Sequence, residues 1–393
     1  MHVLVIGDVG VIDGMMHIGD EAMFEAAVAE LRDRGLDAVG VSSVPEESAE
    51  RYGIRCVPRL GFAGLDRQAS AARAEQLIAA ASGALQLPDD DVALPALEAL
   101  RGASGLLNAG GGNLASRWHA HVFERSTLAA MAAALGVPVV VSGQTFGPDL
   151  DAADAELVAG MVRTAAIASV RETASLELAR GWRDDVRLVV DDASFLDAGA
   201  VDDGTLLVSL SGWFDHRPAE VVEAAIARAI DHAASVTGAT VRFHAHFGPL
   251  DDPAPTRGDA ALHERLRDRL TVPSEVLPTG SSRDGVRLAR GARMLITGRY
   301  HPAVFAAPAG VPVLALAVDE YTRIKLTGAL GHWGARPPVP IDELDAVGAA
   351  TIEALHEGRE LVRAAAAERE PAHRAAASAW WDDVAAAFRG LAG

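Results

Sequence analysis

The sequence predicts an α/β protein with two doubly wound domains and a helical C-terminal extension. Short apolar runs alternate with longer amphipathic or Ala-rich segments through residues 1–197 and again through residues 205–340. The stretch between these regions, DAGAVDDG at residues 197–204, is polar and is the predicted linker. From residue 341 to 393 the chain is rich in Ala, Glu and Arg, which favours helices. Because Trp380 and Trp381 are apolar, we expect this extension to pack back onto the first domain.

In the first domain, short apolar runs bounded by Gly or charged residues indicate buried strands at residues 3–6, 37–43, 54–57, 105–108, 137–142, 167–170 and 186–190. Helical spacing, with Gly35 as one C-terminal stop, predicts helices at residues 19–34, 67–81, 92–100, 119–135, 152–164 and 173–180. Strands that alternate with helices form parallel sheets, so their carboxyl ends meet at one edge.

Glycine-rich loops follow two of these strands. Gly111, Gly112 and Asn113 come just after the strand that ends at Asn108, and Gln144 lies in the loop GQTFGP. Such loops either allow tight packing or bring a substrate against bare backbone, and both readings stay open.

Other polar residues at the ends of strands and helices have a structural interpretation as well as a functional one. Asp20 lies in the first turn of the first helix, where it favourably faces the helix dipole. His119 and His121 begin a later helix, and we expect surface or capping roles for them. Arg171, at a strand tip, suits either a salt bridge or the binding of phosphate or carboxylate.

In the second domain, the same patterns predict strands at residues 206–210, 240–246, 275–277, 294–297 and 311–318. The helices between them are predicted at residues 218–234, 260–270 and 283–290. His244 and His246 would share one face of a strand, but no third metal ligand is evident, so phosphate or sugar contact is favoured over a metal site.

Residues 294–331 collect basic and aromatic side chains at two strand ends. Arg299 and His301 follow one strand, and Lys325 lies in the helix after the next. Lys325 is the only lysine among 35 basic residues, and an ammonium is a compact point charge that a planar guanidinium does not replace. Structural readings compete: His301 could cap or pack, Arg299 could pair with Asp319 or Glu320, and Lys325 could be an ordinary exposed lysine.

Composition excludes several classes of protein. The net charge of −19 argues against nucleic-acid and anionic-membrane partners. No apolar run reaches the roughly 18 residues of a membrane span. The single Cys56 excludes internal disulfides, and the chain starts directly with a predicted strand, so we expect a cytoplasmic protein.

An ordered series of short motifs runs along the chain. The motifs are HIGDEA from His17, NAGGGNL from Asn108, GQTFGP from Gly143, SVRETAS from Ser169, DASF from Asp192, RYH from Arg299, GVP from Gly310 and Y-x-x-x-K ending at Lys325. In order and approximate spacing, this series resembles the polysaccharide pyruvyl transferase family from residue 1 to about residue 331. Each motif alone is weak, whereas the ordered series is fairly specific. The family usually has N-x-G-D where this chain has His17-Ile18-Gly19-Asp20.

The resemblance implies two Rossmann-like domains facing a cleft, the layout called GT-B, with the acceptor side in the first domain and the donor side in the second. It also implies transfer of pyruvate from phosphoenolpyruvate to two hydroxyls of a sugar, with release of phosphate, in polysaccharide biosynthesis. No metal or other cofactor is expected; phosphoenolpyruvate is a co-substrate. The oligomeric state stays open, a homo-oligomer included.

The site residues expected from the resemblance fall into three groups. His301 and Lys325 would be catalytic, with His301 as general acid or base. The donor would be bound by Arg171, Arg299, Lys325 and His244. The acceptor or cleft residues would be His17, Asp20, Asn108, Gly111, Gly112, Asn113 and Gln144.

Two other functions stay open at this point. A GT-B glycosyltransferase that uses a nucleotide sugar would have the same two domains. A non-catalytic protein that binds an anionic metabolite is the second alternative, because His17 replaces the usual asparagine.

Overall fold

A computed structural model describes residues 2–199 and 204–390. Residues 200–203, in the middle of the predicted linker, lie outside these ranges. The chain divides into two compact units. Unit 1 comprises Met1–Val11, Met23–Asp192 and Ala375–Gly393, and unit 2 comprises Ile12–Ala22 and Ala193–Arg374.

Unit 1 is built on a parallel sheet whose buried strands carry apolar side chains on both faces. Its strands are β1 (His2–Ile6), β3 (Asp37–Ser42), β4 (Arg55–Pro58), β5 (Ala103–Asn108), β6 (Gly111–Leu114), β7 (Val139–Phe146), β8 (Ile167–Val170) and β9 (Arg187–Leu188). The strand order is β4-β3-β1-β5-β7-β8-β9, and β6 pairs with β7.

Six helices belong wholly to unit 1: α2 (Pro45–Tyr52), α3 (Arg67–Ala81), α4 (Leu94–Arg101), α5 (His119–Ala134), α6 (Ala152–Thr164) and α7 (Thr173–Arg180). Asp66 and Asp151 cap α3 and α6, each accepting a hydrogen bond from a backbone N–H of the first turn. One core cluster of this unit includes Leu4, Leu106 and Val141 of adjacent strands.

Unit 2 has a second parallel sheet, in the order β13-β11-β10-β14-β15-β16. Its strands are β10 (Leu206–Ser209), β11 (Val241–His244), β13 (Ser274–Leu277), β14 (Met294–Thr297), β15 (Val313–Ala317) and β16 (Val339–Pro340). Its helices are α8 (Ala219–Thr237), α9 (Asp259–Arg267), α10 (Ser282–Gly291), α11 (Tyr300–Ala306), α12 (Glu320–Gly331) and α13 (Leu344–Glu357).

A short N-terminal segment also belongs to unit 2. β2 (Met15–His17) pairs antiparallel with β12 (Phe247–Pro249), and the Ile18 backbone N–H donates to the His246 carbonyl at 3.0 Å. Helix α1 (Ile18–Asp33) therefore starts in unit 2 and continues in unit 1.

The long C-terminal helix α14 (Arg359–Phe388) likewise contributes to both units. In unit 1, its buried Trp380, Trp381 and Phe388 join a core cluster with Val3 and Val5 of β1. The predicted α/β class, parallel sheets and C-terminal helix are thus confirmed. Among the described residues, no helix is long and apolar enough to cross a membrane.

Candidate functional site

Each sheet reverses its strand order at one point, and ligands of open α/β sheets bind beside the carboxyl ends of the strands there. In unit 1 the reversal lies between β1 and β5, which deliver Asp8 and Asn108. In unit 2 it lies between β10 and β14, and Arg299 and His301 follow β14. The topology therefore supplies one candidate binding edge in each unit.

Arg299 in unit 2 is held by an acidic partner that the sequence did not indicate. Its Nε donates to Asp259 Oδ2 at 2.9 Å, and Asp259 is almost fully buried at the start of α9. The same oxygen accepts the backbone N–H groups of His246 and Phe247. The suggested pairing with Asp319 or Glu320 was wrong, since a buried carboxylate with two backbone donors is the better-organised partner.

The two predicted catalytic residues come together around one aromatic ring of unit 2. The His301 and Tyr300 ring centroids are 5.0 Å apart, and Lys325 Nζ lies 5.0 Å from the Tyr300 centroid. Lys325 Nζ also donates to the Tyr321 hydroxyl at 2.9 Å and lies 4.3 Å from the centroid of that ring. Lys325 is therefore half-buried between two tyrosines and is not an ordinary exposed lysine.

The first turn of α1 lies directly against His301. A Cβ atom on Gly19 would fall 1.8 Å from His301 Nδ1, so only glycine permits this approach. His17, two residues earlier, is exposed and stacks on Phe247 with ring centroids 4.1 Å apart. His17 and Asp20, predicted to face the acceptor, thus belong to unit 2.

Three further histidines of unit 2 are buried. The ring centroids of His244 and His246 are 5.4 Å apart, and the ring planes are nearly perpendicular. β11 ends at His244, so His246 lies beyond the strand. Burial lowers the pKa of His244 and of His263 to about 4 and holds the pKa of His246 well below its usual value. Among the described residues, no ring nitrogen of His244 or His246 has a hydrogen-bond partner. Neutral imidazoles of this kind can donate to or accept from a ligand.

Unit 1 has a charged network at its candidate binding edge. Arg59 donates to Asp8 Oδ1 at 2.7 Å and, through Nε, to Glu124 Oε2 at 2.8 Å. Although burial opposes it, the nearby His121, Arg59 and Arg125 hold the pKa of Asp8 well below its usual value. The Asp8 carboxylate is therefore a fixed charge and a weak base.

His121 is part of the same network, so its predicted surface or capping role was wrong. Its Nδ1 lies 3.3 Å from an Arg59 nitrogen and 3.2 Å from an Arg125 nitrogen. A guanidinium only donates, so Nδ1 accepts and the proton is on Nε2, 3.8 Å from Asp8 Oδ2. Burial and the two arginines lower the pKa of His121 to about 4, although Asp8 opposes them.

Two amide oxygens converge beside this network. Asn113 Nδ2 donates to Asp8 Oδ2 at 3.1 Å, and Gln144 Nε2 donates to the Ala109 carbonyl. Among the described residues, Asn113 Oδ1 and Gln144 Oε1 have no donor, although Gln144 is fully buried. A Cβ atom on Gly111 would lie 3.4 Å and 3.3 Å from these oxygens. Both oxygens are buried acceptors, which a ligand that carries N–H or O–H groups would satisfy.

The amide of Asn108 and the backbone of Gly112 complete this edge. Asn108 ends β5 and is fully buried, and neither of its amide atoms has a hydrogen-bond partner among the described residues. Gly112, between Gly111 and Asn113, is buried within β6. The predicted acceptor residues at positions 108–113 and 144 therefore do come together in unit 1.

Arg171 is buried in unit 1, at the end of β8. Its guanidinium forms an ion pair with Asp191 at 2.7 Å and donates from Nε to Thr145 Oγ1 at 2.9 Å. Only 1% of the Arg171 side chain is exposed. Donor binding by Arg171 stays a prediction, and the ion pair gives this side chain a structural role as well.

Asp192, the residue after Asp191, lies against two glycine loops of unit 1. Cβ atoms on Gly110 and Gly143 would be 3.5 Å and 3.3 Å from Asp192 Oδ2, which accepts from the Ser142 hydroxyl at 3.1 Å. Burial and the neighbouring Asp191 raise the pKa of Asp192 to about 7. This carboxyl group can therefore exchange a proton near neutral pH, a property that the sequence did not indicate.

The described residues contain no group of three or more His, Cys, Asp or Glu side chains that could hold a metal ion. His244 and His246 therefore lack the further ligands that a zinc site requires.

Comparison with solved structures shows the fold. An S. aureus MnaA structure with UDP matches with a TM-score of 0.61 and 12% identity over 100% of this chain and 98% of that chain. A UDP-GlcNAc 2-epimerase from Neisseria meningitidis bound to UDP-GlcNAc has a TM-score of 0.56 at 11% identity, covering 93% and 94% of the two chains. The calicheamicin glycosyltransferase CalG4 has a TM-score of 0.54 at 15% identity, covering 100% of both. The chain thus has the GT-B fold shared by these glycosyltransferases and epimerases.

Sequence comparison narrows the class to a family. The model of the family described as "Polysaccharide pyruvyl transferase" matches residues 17–320, which is most of the chain. The search of curated proteins found no significant match. The chain belongs to the polysaccharide pyruvyl transferase family.

Proposed function

We propose that this protein transfers pyruvate from phosphoenolpyruvate to two hydroxyls of a sugar or glycan acceptor, forming a cyclic ketal and releasing phosphate. The observation that carries the proposal is the grouping of His301 and Lys325 around the Tyr300 ring in a member of this family. These are the proton carrier and the compact cation that the reaction requires.

The donor is assigned to unit 2. Phosphoenolpyruvate is small and densely anionic, and an acidic protein must gather cations to bind it. Lys325 and Arg299 supply positive charge at adjacent strand ends, with Arg299 oriented by Asp259. His244 ends β11 of the same sheet, and we assign its neutral ring a contact with phosphate. Donor binding by Arg171, which lies in unit 1 and is paired with Asp191, stays a prediction.

The reaction balances with two proton transfers. Protonation of the donor methylene makes its C2 carbon electrophilic, and one acceptor hydroxyl attacks that carbon and loses its proton. The second hydroxyl displaces the phosphate, which leaves with the second proton. His301 would carry a proton as general acid or base, and Lys325 would stabilise the leaving phosphate. These steps need no metal or other cofactor.

The acceptor is assigned to the strand edge of unit 1. Asn113 Oδ1 and Gln144 Oε1 are hydrogen-bond acceptors that sugar hydroxyls would satisfy. The charges behind them compensate one another, because Arg59 and Arg125 both act on the carboxylates of Asp8 and Glu124. A neutral sugar residue fits this arrangement better than an acidic one.

The test of the reaction is phosphate release from phosphoenolpyruvate with and without a panel of glycoside acceptors, with mass spectrometry of the acceptor. We expect release only with an acceptor, which should gain one pyruvate and lose one water. The double variant His301→Ala, Lys325→Ala should lose at least about 1000-fold in kcat. The matched control is Arg323→Ala, an exposed arginine on the same helix as Lys325.

Three results would contradict the proposal. Full turnover by the double variant would remove the assigned roles. Calorimetric binding of UDP- or GDP-sugars without binding of phosphoenolpyruvate would instead indicate a nucleotide-sugar glycosyltransferase. Tight binding of phosphoenolpyruvate without turnover across the panel would indicate a non-catalytic binder.

The acceptor assignment has its own test in Gly111→Ala. The added methyl would lie 3.3–3.4 Å from both amide oxygens, so we expect acceptor KM to rise about tenfold while donor KM stays unchanged. Gly160→Ala is the control, because a Cβ at position 160 in the same unit meets nothing within 4 Å. An unchanged acceptor KM would place the acceptor elsewhere.

The setting proposed for this activity is polysaccharide biosynthesis in the cytoplasm. The single Cys56 supports a reducing compartment. The proposed partners are the donor and the sugar-containing acceptor alone, and sedimentation would show whether the protein is a homo-oligomer.

A further inference from the structure

Unit 2 contains an arginine-lined cavity that the proposed reaction does not use. The cavity has a volume of about 370 Å³, and four of its lining residues are Arg290, Arg293, Arg359 and Arg363. His356 also lines it, and no acidic residue does. In a protein with 54 acidic and 35 basic residues, such a local excess of positive charge is unexpected from composition. We call this site the arginine cavity.

The arginine cavity lies at the opposite edge of the sheet from His301 and Lys325. Arg293 directly precedes β14, and the lining residue Pro312 directly precedes β15, so the cavity is at the amino ends of these strands. His301 and Lys325 follow the carboxyl ends. A strand of four or five residues spans roughly 13–16 Å. The arginine cavity is therefore a separate site within unit 2.

The guanidinium groups of three of these arginines have most of their donors left for a ligand. Arg290, Arg293 and Arg359 each show a single hydrogen bond, to the backbone carbonyls of Ser194, Thr237 and His356 respectively. Each guanidinium has five N–H donors, so one such bond leaves several unused.

The acidic side chain paired with Arg359 and Arg363 compensates little of their charge. Glu360 lies 3.5 Å from Arg363 and 3.7 Å from Arg359, but it is 67% exposed and does not line the cavity. Exposed pairs of this kind contribute little. Burial and the nearby Arg374 lower the pKa of Arg290, although Asp197 and Glu370 oppose this effect.

One helix end adds to the positive field, although the carboxyl ends of α10 and α13 lie at the cavity as well. Arg359 is the first residue of α14, a helix of 30 residues, and Arg363 lies one turn later on the same face. The amino end of a long helix carries partial positive charge and backbone donors. Gly310, in the left-handed conformation, allows close approach here, because its Cβ would fall 2.5 Å from the Arg363 Cα.

We propose that the arginine cavity binds a small polyanion that carries two or more phosphate groups. Planar guanidinium forks match phosphate oxygens in pairs, and several forks around one cavity favour a ligand with more than one anionic centre. Either inorganic polyphosphate or a nucleoside diphosphate has this chemistry.

The test is calorimetric titration of the whole protein with inorganic phosphate, pyrophosphate, tripolyphosphate and ADP. We expect affinity to rise with the number of phosphates and to fall steeply between low and moderate salt. The variant Arg359→Gln, Arg363→Gln should weaken pyrophosphate binding at least tenfold. The side chains of Arg359 and Arg363 are 46% and 66% exposed, so this variant should fold. ADP binding more tightly than pyrophosphate would identify a nucleotide as the source of the phosphates.

The control variant is Arg323→Gln, an exposed arginine on α12 of the same unit. It should bind pyrophosphate as the unaltered protein does. Equal weakening in this control would show nonspecific charge effects and overturn the proposal. So would unchanged binding in the double variant, or binding of inorganic phosphate as tight as that of tripolyphosphate. Acceptor-dependent phosphate release should survive in the double variant, which separates this site from the proposed reaction.

Discussion

At the scale of single residues, Gly19 controls the position of His301. Gly19→Ala would place a methyl group in the space that the His301 ring occupies, 1.8 Å from Nδ1. Because the imidazole can rotate away, we expect a small loss of stability but a large loss of kcat, approaching that of His301→Ala. Ring ¹⁵N chemical shifts of His301, assigned with His301→Gln, would report the displacement independently of activity.

The control for this variant is Gly331→Ala, because a Cβ atom at position 331 meets nothing within 4 Å. It also lies in unit 2, so it tests the same chemical change without the contact. If the His301 ring signals stay in place in Gly19→Ala, the positioning role is refuted.

Variants of Arg171 and Asp191 separate a structural role of Arg171 from a role in donor binding. Arg171→Met would leave the buried Asp191 carboxylate without its ion-pair partner, at a cost of about 3–5 kcal/mol in the free energy of unfolding. The double variant Arg171→Met, Asp191→Leu should recover most of that loss. Denaturant unfolding measures both effects, and donor KM in the double variant tests whether Arg171 also binds phosphoenolpyruvate. A double variant no more stable than Arg171→Met would contradict the structural role.

At the scale of elements, the end of α14 is part of the core of unit 1. Trp380 is 1% exposed, packs in the cluster that includes Val3 and Val5, and donates from Nε1 to the Ser142 hydroxyl at 3.0 Å. Trp380→Ala should therefore cost about 3–5 kcal/mol of unfolding free energy. Leu361→Ala, on the same helix but 76% exposed, should change stability by less than about 0.5 kcal/mol. Equal losses in the two variants would contradict this assignment.

Local patterns predicted most elements because each strand and helix has its own periodicity. The predicted helix at residues 152–164 and the strand at residues 294–297 coincide with α6 and β14. Local patterns do not predict the pairing of a strand with a partner that is distant in sequence. Nothing in residues 15–17 indicates that β2 pairs with β12 in unit 2, because the pairing depends on an edge supplied from beyond residue 240.

In the candidate site, too, the sequence predicted some residues and missed others. Arg299, His301 and Lys325 stood out through residue type and position after strands. The network of Asp8, Arg59 and Glu124 did not, because its members follow β1, follow β4 and lie within α5. The sequence offered one indication of this network, because the carboxyl ends of parallel strands are expected to share an edge of the sheet. That expectation indicates where polar side chains gather, but it does not identify the residues.

At the scale of the whole molecule, acid stability depends on opposing electrostatic effects. The net charge of −19 disfavours compactness, but carboxylates ionise near pH 4, so this charge changes little between pH 7 and pH 5.5. Buried histidines change more in that interval. Their pKa values are lowered in the folded state, so the unfolded chain takes up protons first, and stability falls as pH drops below 6.5.

Unit 2 should therefore lose stability first on acidification, because His244, His246 and His263 all belong to it. In unit 1 the lowered pKa of His121 acts in the same direction, but the raised pKa of Asp192 opposes it. His244, His246 and His263 should each contribute a slope of about 1.4 kcal/mol per pH unit below pH 6.5, or about 4 kcal/mol per pH unit together. Hydrogen exchange of peptides from each unit at pH 7 and pH 5.5 would measure this. His244→Gln should reduce the slope by about one third, whereas His216→Gln, whose side chain is 80% exposed, should leave it unchanged. Equal loss of protection in both units would show that the buried histidines do not govern the acid response.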